Sequence, residues 1–158
     1  MFENIIKNVH NRHPLIHCIT NYVSINDCAN IVLACGGAPI MAEDINEVSQ
    51  ITSICQGLDI NIGMLNDNKL SSMLKAGATA NELGIPVILD PVGAGSSDYR
   101  IKAVQNLMSN VQFGVIRGNV SEIKAIAAKQ GIHNIAAGVY ETMQKNKSAM
   151  GVEAGIAD

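Results

Sequence analysis

Short apolar runs alternate along this chain with longer stretches in which apolar residues recur at helical spacing. Leu15–Ile19 (LIHCI) follows Pro14 and reads as a strand. Ser24-Ile25-Asn26-Asp27 has the form of a capping box. Ile25, Cys28, Val32 and Cys35 then recur with helical spacing until Gly36-Gly37 stops the pattern. Ala38–Met41 (APIM) predicts a second strand, residues 43 to about 55 a helix, and residues 58–63 (LDINIG) a third strand. Leu70, Met73, Leu74 and Gly77 mark one face of a helix over about 67–83, with Gly84 at its C′ position and Pro86 beyond. Val87–Asp90 (VILD) is uninterrupted in apolar character until its last residue, as parallel strands buried on both faces tend to be. Ile101, Val104 and Met108 define the next helix, residues 113–116 (FGVI) a fifth strand, and residues 121–128 a further helix.

Strand and helix alternating at this spacing predict an α/β fold with a central, mostly parallel sheet flanked by helices. In such sheets ligands bind outside the carboxyl ends of the strands. Those ends are where this sequence turns polar and Gly-rich: Thr20-Asn21, Met41-Ala42-Glu43-Asp44, Gly63-Met64, the run from Asp90 to Gly95, and the run from Arg117 to Glu122.

Composition narrows the picture. The 158 residues, 47% of them hydrophobic, suit a single domain over 1–158 with its own core. Charged residues are 16%, below the usual quarter or so, which predicts extensive burial or a subunit interface. A net charge of −3 without a basic stripe argues against nucleic acid as a partner. The first residues carry no signal-peptide pattern, and the most apolar stretch, 31–41, is interrupted by Gly36, Gly37 and Pro39, so a soluble, cytoplasmic protein without membrane contact is expected. Cys18, Cys28, Cys35 and Cys55 lie in apolar segments without a C-x-x-C pair and read as reduced, buried residues.

Three segments carry candidate chemistry. Asp90-Pro91-Val92-Gly93-Ala94-Gly95 places a carboxylate at the end of a buried strand, then Pro and two glycines that admit a ligand close to the backbone. It suits a metal or phosphate, and equally an ordinary turn in which Asp90 bonds backbone amides. In Arg117-Gly118-Asn119-Val120-Ser121-Glu122, Asn119 and Glu122 are spaced as a capping box. Arg117 suits a bidentate grip on a carboxylate or phosphate, or an internal ion pair with Asp90 or Glu122. Met41 is either core filler or a surface for a flat, sulfur-containing or aromatic ligand. His10, His13 and His17 cannot share one helical face because Pro14 intervenes, which argues against zinc.

Taken together, IHCITNYVSINDCANIVLACGGAPIMAED, INIGMLN, NELGIPVILDPVGAG and VIRGNVSEI closely resemble the N-terminal half of the hydroxyethylthiazole kinases, ribokinase-like enzymes of thiamine salvage, over roughly residues 1–128. The resemblance implies a ribokinase-like fold and ATP- and Mg²⁺-dependent phosphorylation of the hydroxyl of 4-methyl-5-(2-hydroxyethyl)thiazole. It also implies a homotrimer with thiazole pockets between subunits. It places Met41 against the thiazole, Asn21 and Gly63 in the pocket lining, Arg117 on the ATP phosphates, and Asp90 and Glu122 at Mg²⁺ and its waters. The residue beside the substrate hydroxyl lies in a C-terminal half of the family that this sequence does not reach, so turnover is expected to need that half. Residues 129–158, which include an expected helix at 134–147, match the family poorly. Two readings follow: a kinase represented by its N-terminal part, or a non-catalytic thiazole-binding or oligomerisation fragment. A kinase acting on a pyrimidine alcohol is disfavoured by the ITNYVSIND and GGAPIM segments.

Overall fold

The computed structural model describes residues 2–129; the expected helix at 134–147 lies outside the described residues. The chain runs α1 (Phe2–Arg12), β1 (Leu15–Ile19), α2 (Ile25–Ala34), β2 (Ala38–Met41), α3 (Val48–Ile54), β3 (Gly57–Asn61), α4 (Asp67–Glu82), β4 (Val87–Asp90), α5 (Asp98–Asn110), β5 (Val115–Ile116) and α6 (Val120–Lys129). The strands form one parallel sheet in the order β2-β1-β3-β4-β5. This is a doubly wound order: the chain steps from β1 to β2 on one side, then crosses back to β3 on the other, so the switch point lies between β1 and β3.

Side chains alternate between faces along each strand. One face carries Ile19, Leu58, Ile60, Val87 and Leu89. These pack with Val48, Met73, Ala76, Ala80, Val104 and Leu107 from α3, α4 and α5 into the main core. His17 is buried on this face too: its Nδ1 lies 2.9 Å from Thr52 Oγ1 and its Nε2 2.8 Å from the Ala42 carbonyl. The opposite face carries Cys18, Asp59 and Asn61, and towards β5 it is open, with Ile88 40% and Val115 52% exposed.

Several local expectations shift for identifiable reasons. Ser24 does precede α2, but it makes no capping bond; its hydroxyl and backbone N–H both go to Asn21 Oδ1, at 3.1 and 3.0 Å. Residues 43–47 form turns rather than helix, with Asp44 Oδ1 accepting from the Asn46 backbone N–H, so α3 starts at Val48. The fifth strand shortens to Val115–Ile116, because only Val115 and Ile116 pair with β4. Cys18 and Cys55 are buried as expected, whereas Cys28 is half-buried and Cys35, at the end of α2, is exposed; all four are free thiols.

Gly77, inside α4, is a packing requirement. A Cβ there would lie 2.5 and 2.7 Å from the two Val111 methyl carbons, so α4 can approach the end of α5 this closely only without a side chain. Alanine would gain about 1 kcal/mol of helix propensity, but overpacking a core costs about 1–3 kcal/mol. Gly77→Ala should therefore lower stability by up to about 2 kcal/mol in urea unfolding, and in a Val111→Ala background the same change should become neutral or stabilising.

Candidate active site at the strand carboxyl ends

The candidate residues line up along the carboxyl ends of the strands because the parallel register brings those ends level. Asn61 stands opposite Asp90, and Asn21 and Arg117 follow the neighbouring strands β1 and β5. A continuous hydrogen-bond chain results. Asn21 Nδ2 donates to Asn61 Oδ1 at 3.2 Å, across the switch point. Asn61 Nδ2 donates to Asp90 Oδ2 at 2.9 Å, and Arg117 Nη1 reaches the same oxygen at 3.1 Å. Arg117 thus forms the ion pair with Asp90. The Arg117 side chain remains 77% exposed and keeps most of its guanidinium towards solvent.

Gly63 closes on this chain from below: its N–H donates to Asn61 Oδ1 at 2.8 Å. A Cβ at Gly63 would sit 2.9 Å from Asn61 Oδ1 and 3.0 Å from Asn21 Nδ2, so this turn admits no side chain. Arg100, from the first turn of α5, binds the Ile62 and Val92 carbonyls through Nη1 and the Gly63 carbonyl through Nη2, at 2.7–2.8 Å. It thereby ties the turn after β3 to the turn after β4.

Glu122 performs the capping role and a second one. Asn119 Oδ1 accepts from the Glu122 N–H at 3.0 Å, while Glu122 Oε2 accepts from the Asn119 N–H at 2.8 Å. The other oxygen, Oε1, accepts the Gly93 N–H at 2.9 Å, so Glu122 also holds the turn after Asp90. Burial raises the Asp90 carboxyl; Arg117 opposes this and Glu122 adds to it. Two carboxylates thus lie close enough to repel, each oriented by N–H donors and each with lone pairs left for a cation. No cluster of three or more His, Cys, Asp or Glu side chains among the described residues could hold a metal. A pair of this kind fits Mg²⁺, which takes one or two carboxylates and completes its shell with water and phosphate oxygens.

At the β2 end apolar and sulfur-bearing side chains are mixed with hydroxyls and one carboxylate. Met41, Cys18, Thr20, Tyr22, Ile25 and Glu43 line a cavity of about 180 Å³, smaller than the roughly 300–1,000 Å³ of drug-sized sites and suited to a compact heterocycle. Burial, with smaller contributions from Asp59, Cys28 and Cys55, pushes the Cys18 thiol up to about 12, so it presents a neutral sulfur. Of the six residues singled out from the sequence, Met41 alone lines this cavity. Asn21 and Gly63 belong to the hydrogen-bonded row beside it, and Asp90, Arg117 and Glu122 lie at the far side of the sheet.

Asn61, Arg100, Lys69 and Asp59 were not singled out by the sequence pattern. Lys69 had a readable signal: it lies four residues before Met73, in register with the buried stripe Met73, Ala76 and Ala80. Asp59 had one too, as an acid between the apolar Leu58 and Ile60. Burial pushes its carboxyl up to about 6; Asp90 adds to the rise and Arg117 opposes it. With an unfolded value near 3.9, the folded state binds this proton more tightly between about pH 4 and pH 6. Stability is therefore lost as pH rises through that window. Asp59→Asn should stabilise the chain by about 1–3 kcal/mol at about pH 7.5 and by little at about pH 3.5, read from thermal unfolding at the two pH values.

The comparisons with known proteins bear on the family and on the fold. The chain matches the hydroxyethylthiazole kinase family over residues 6–156. It is 61% identical over 132 residues to a hydroxyethylthiazole kinase of Clostridium acetobutylicum, covering 84% of this chain and 48% of that protein. To the kinase of the same name from Alkaliphilus metalliredigens it is 59% identical over 124 residues, covering 78% of this chain and 46% of that protein. The solved structure of a hydroxyethylthiazole kinase protein from Pyrococcus horikoshii OT3 superposes with a TM-score of 0.79 at 40% identity, covering 81% of this chain and 50% of the other. The chain spans about half the length of the curated relatives it matches. By its sequence along 6–156 and by its sheet, this chain belongs to the hydroxyethylthiazole kinase family.

Proposed function

We propose that this chain provides the thiazole-binding and metal-side part of a kinase that transfers phosphate from ATP, with Mg²⁺, to the hydroxyl of 4-methyl-5-(2-hydroxyethyl)thiazole. The observation that carries the reading is the unbroken row Asn21–Asn61–Asp90–Arg117, which joins a small sulfur-lined cavity at one side of the sheet to a carboxylate pair and a guanidinium at the other.

In this reading Met41 lies against the thiazole ring, Asn21 and Gly63 bound its polar side, and Arg117 holds ATP phosphate oxygens as a planar cation does. Asp90 and Glu122 would hold Mg²⁺, which when bound would neutralise charge on the phosphates, most of what phosphoryl transfer asks of a protein besides positioning. Arg117 is kept in place for this by Asp90, and Asp90 by Asn61. The group beside the substrate hydroxyl belongs to the part of the relatives that this chain does not span.

Met41 and Arg117 stand at opposite edges of the five-stranded sheet, four strand spacings or roughly 19 Å apart. That span supports a site shared between subunits of a homotrimer, in which one protomer supplies the ring pocket and its neighbour the charged end. Exposed Tyr22, Val23, Ile45 and Met64 around the strand ends supply apolar surface for such an interface.

Titration calorimetry of the 158-residue chain with the thiazole alcohol should show binding, and Met41→Ala should weaken it by at least about tenfold, the equivalent of about 1.4 kcal/mol. No binding by the unmodified chain would overturn the proposal. With ATP and Mg²⁺ added, turnover should fall far below that of the Clostridium acetobutylicum relative; an equal rate would refute the division of labour between the two halves.

A further inference from the structure

Lys69 is 3% exposed, in the first turn of α4, and its ammonium is fully engaged. It donates to the Thr20 carbonyl at 2.8 Å, pairs with Glu43 Oε2 at 2.7 Å, and lies 4.4 Å from the centre of the Tyr22 ring. Tyr22 in turn donates its hydroxyl to Glu43 Oε1. Thr20, Tyr22 and Glu43 all line the small cavity beside Met41. Lys69 does not touch that cavity; it lines a wider one of about 580 Å³ on the other side of Glu43, together with Asn66 and Ser72. One buried cation thus stands behind the wall that separates the two spaces.

Stability alone does not account for this arrangement. Removing an ammonium from water is costly, and an apolar side chain of similar volume often serves a core equally well. What the ammonium supplies is direction. Its three donors meet one group from the segment after β1, one from the segment after β2 and one aromatic face, fixing three chain segments relative to one another. Tyr22 and Glu43 are otherwise poorly restrained: Tyr22 is 55% exposed and the Glu43 side chain 37%. Burial alone would raise the Glu43 carboxyl, but the bonds from Lys69 and Tyr22 outweigh it and hold the group below the usual range, so it stays an acceptor for both.

We propose that Lys69 is the positioning residue of the ring pocket: by holding Thr20, Tyr22 and Glu43 in one arrangement, it sets the width of the cavity that Met41 lines and thereby its affinity for a compact heterocyclic alcohol. This rests on the function proposed above. Lys69 acts from behind the wall and makes no contact with the ligand.

The test is calorimetry with 4-methyl-5-(2-hydroxyethyl)thiazole on the unmodified 158-residue chain and on Lys69→Met, Lys69→Arg and Glu43→Gln, with thermal unfolding of each. Lys69→Met should weaken binding by at least about tenfold while its unfolding midpoint is unchanged or raised. Lys69→Arg, which keeps a donor cation, should recover most of the lost affinity. Glu43→Gln, a change at a partly exposed residue, should weaken binding in the same direction and serves as the measurement if Lys69→Met fails to fold. Affinity in Lys69→Met or Glu43→Gln within about twofold of the unmodified chain would overturn the role of Lys69 and leave the proposed function standing. Equal losses in Lys69→Arg and Lys69→Met would also overturn it, because the cation would then have no specific part. Absence of binding by the unmodified chain would overturn both.

Discussion

The side-chain amide of Asn61 sits between two strands whose connections leave in opposite directions, and it bonds to both sides at once. Its oxygen accepts from Asn21 and from the Gly63 backbone, and its nitrogen donates to Asp90. The Gly63 N–H can only donate, which settles which end of the amide is oxygen. From that single orientation the rest of the row follows. The nitrogen must face β4, Asp90 must offer an acceptor, and Arg117 is drawn to the oxygen that Asn61 already holds. With Asn61 only 7% exposed, water cannot substitute for a lost partner, and an unmet buried amide costs about 1–3 kcal/mol.

The row also divides the site by chemistry. On the β1 and β2 side the groups are amides, hydroxyls, a thioether, a neutral thiol and the Glu43 carboxylate, which is already paired with Lys69. On the β4 and β5 side they are carboxylates and a guanidinium. Asn61 is the neutral joint between them. Two arginines illustrate how differently one residue type can be used. Arg100 spends its donors on backbone carbonyls and behaves as a brace between two turns, whereas Arg117 makes one ion pair and faces solvent.

Much of this could be read in the sequence. The five strands and the helices after them announced themselves through uninterrupted apolar runs and helical periodicity, and the polar strand ends showed where chemistry gathers. The capping box at Asn119 and Glu122 was legible because it depends on residues three apart. What escaped detection was set by tertiary structure. Ser24 abandoned its local bond for Asn21, whose position is fixed by Asn61, forty residues away in sequence. The hydrogen bond from the Gly93 N–H to Glu122 and the reach of Arg100 to Gly63 likewise span some thirty to forty positions. No window of sequence contains both ends of such contacts. The signal at Lys69, a charge in register with an apolar stripe, is shared with a solvated surface lysine until the stripe is seen to be buried.

The two-residue length of β5 gives the two sides of the site different resistance to local opening. Met41 ends a strand paired along four positions, and the carbonyl of the next residue, Ala42, is held from within the core by His17. Arg117 follows a strand with only two paired positions, at the border of the described sheet, with Val115 open to solvent. Backbone amides there are protected by few neighbours, and regions of that kind open at a small fraction of the global unfolding free energy. The charged end therefore rests on half as many paired backbone positions as the cavity end, so fraying there can loosen the Arg117–Asp90 pair while Met41 stays in register.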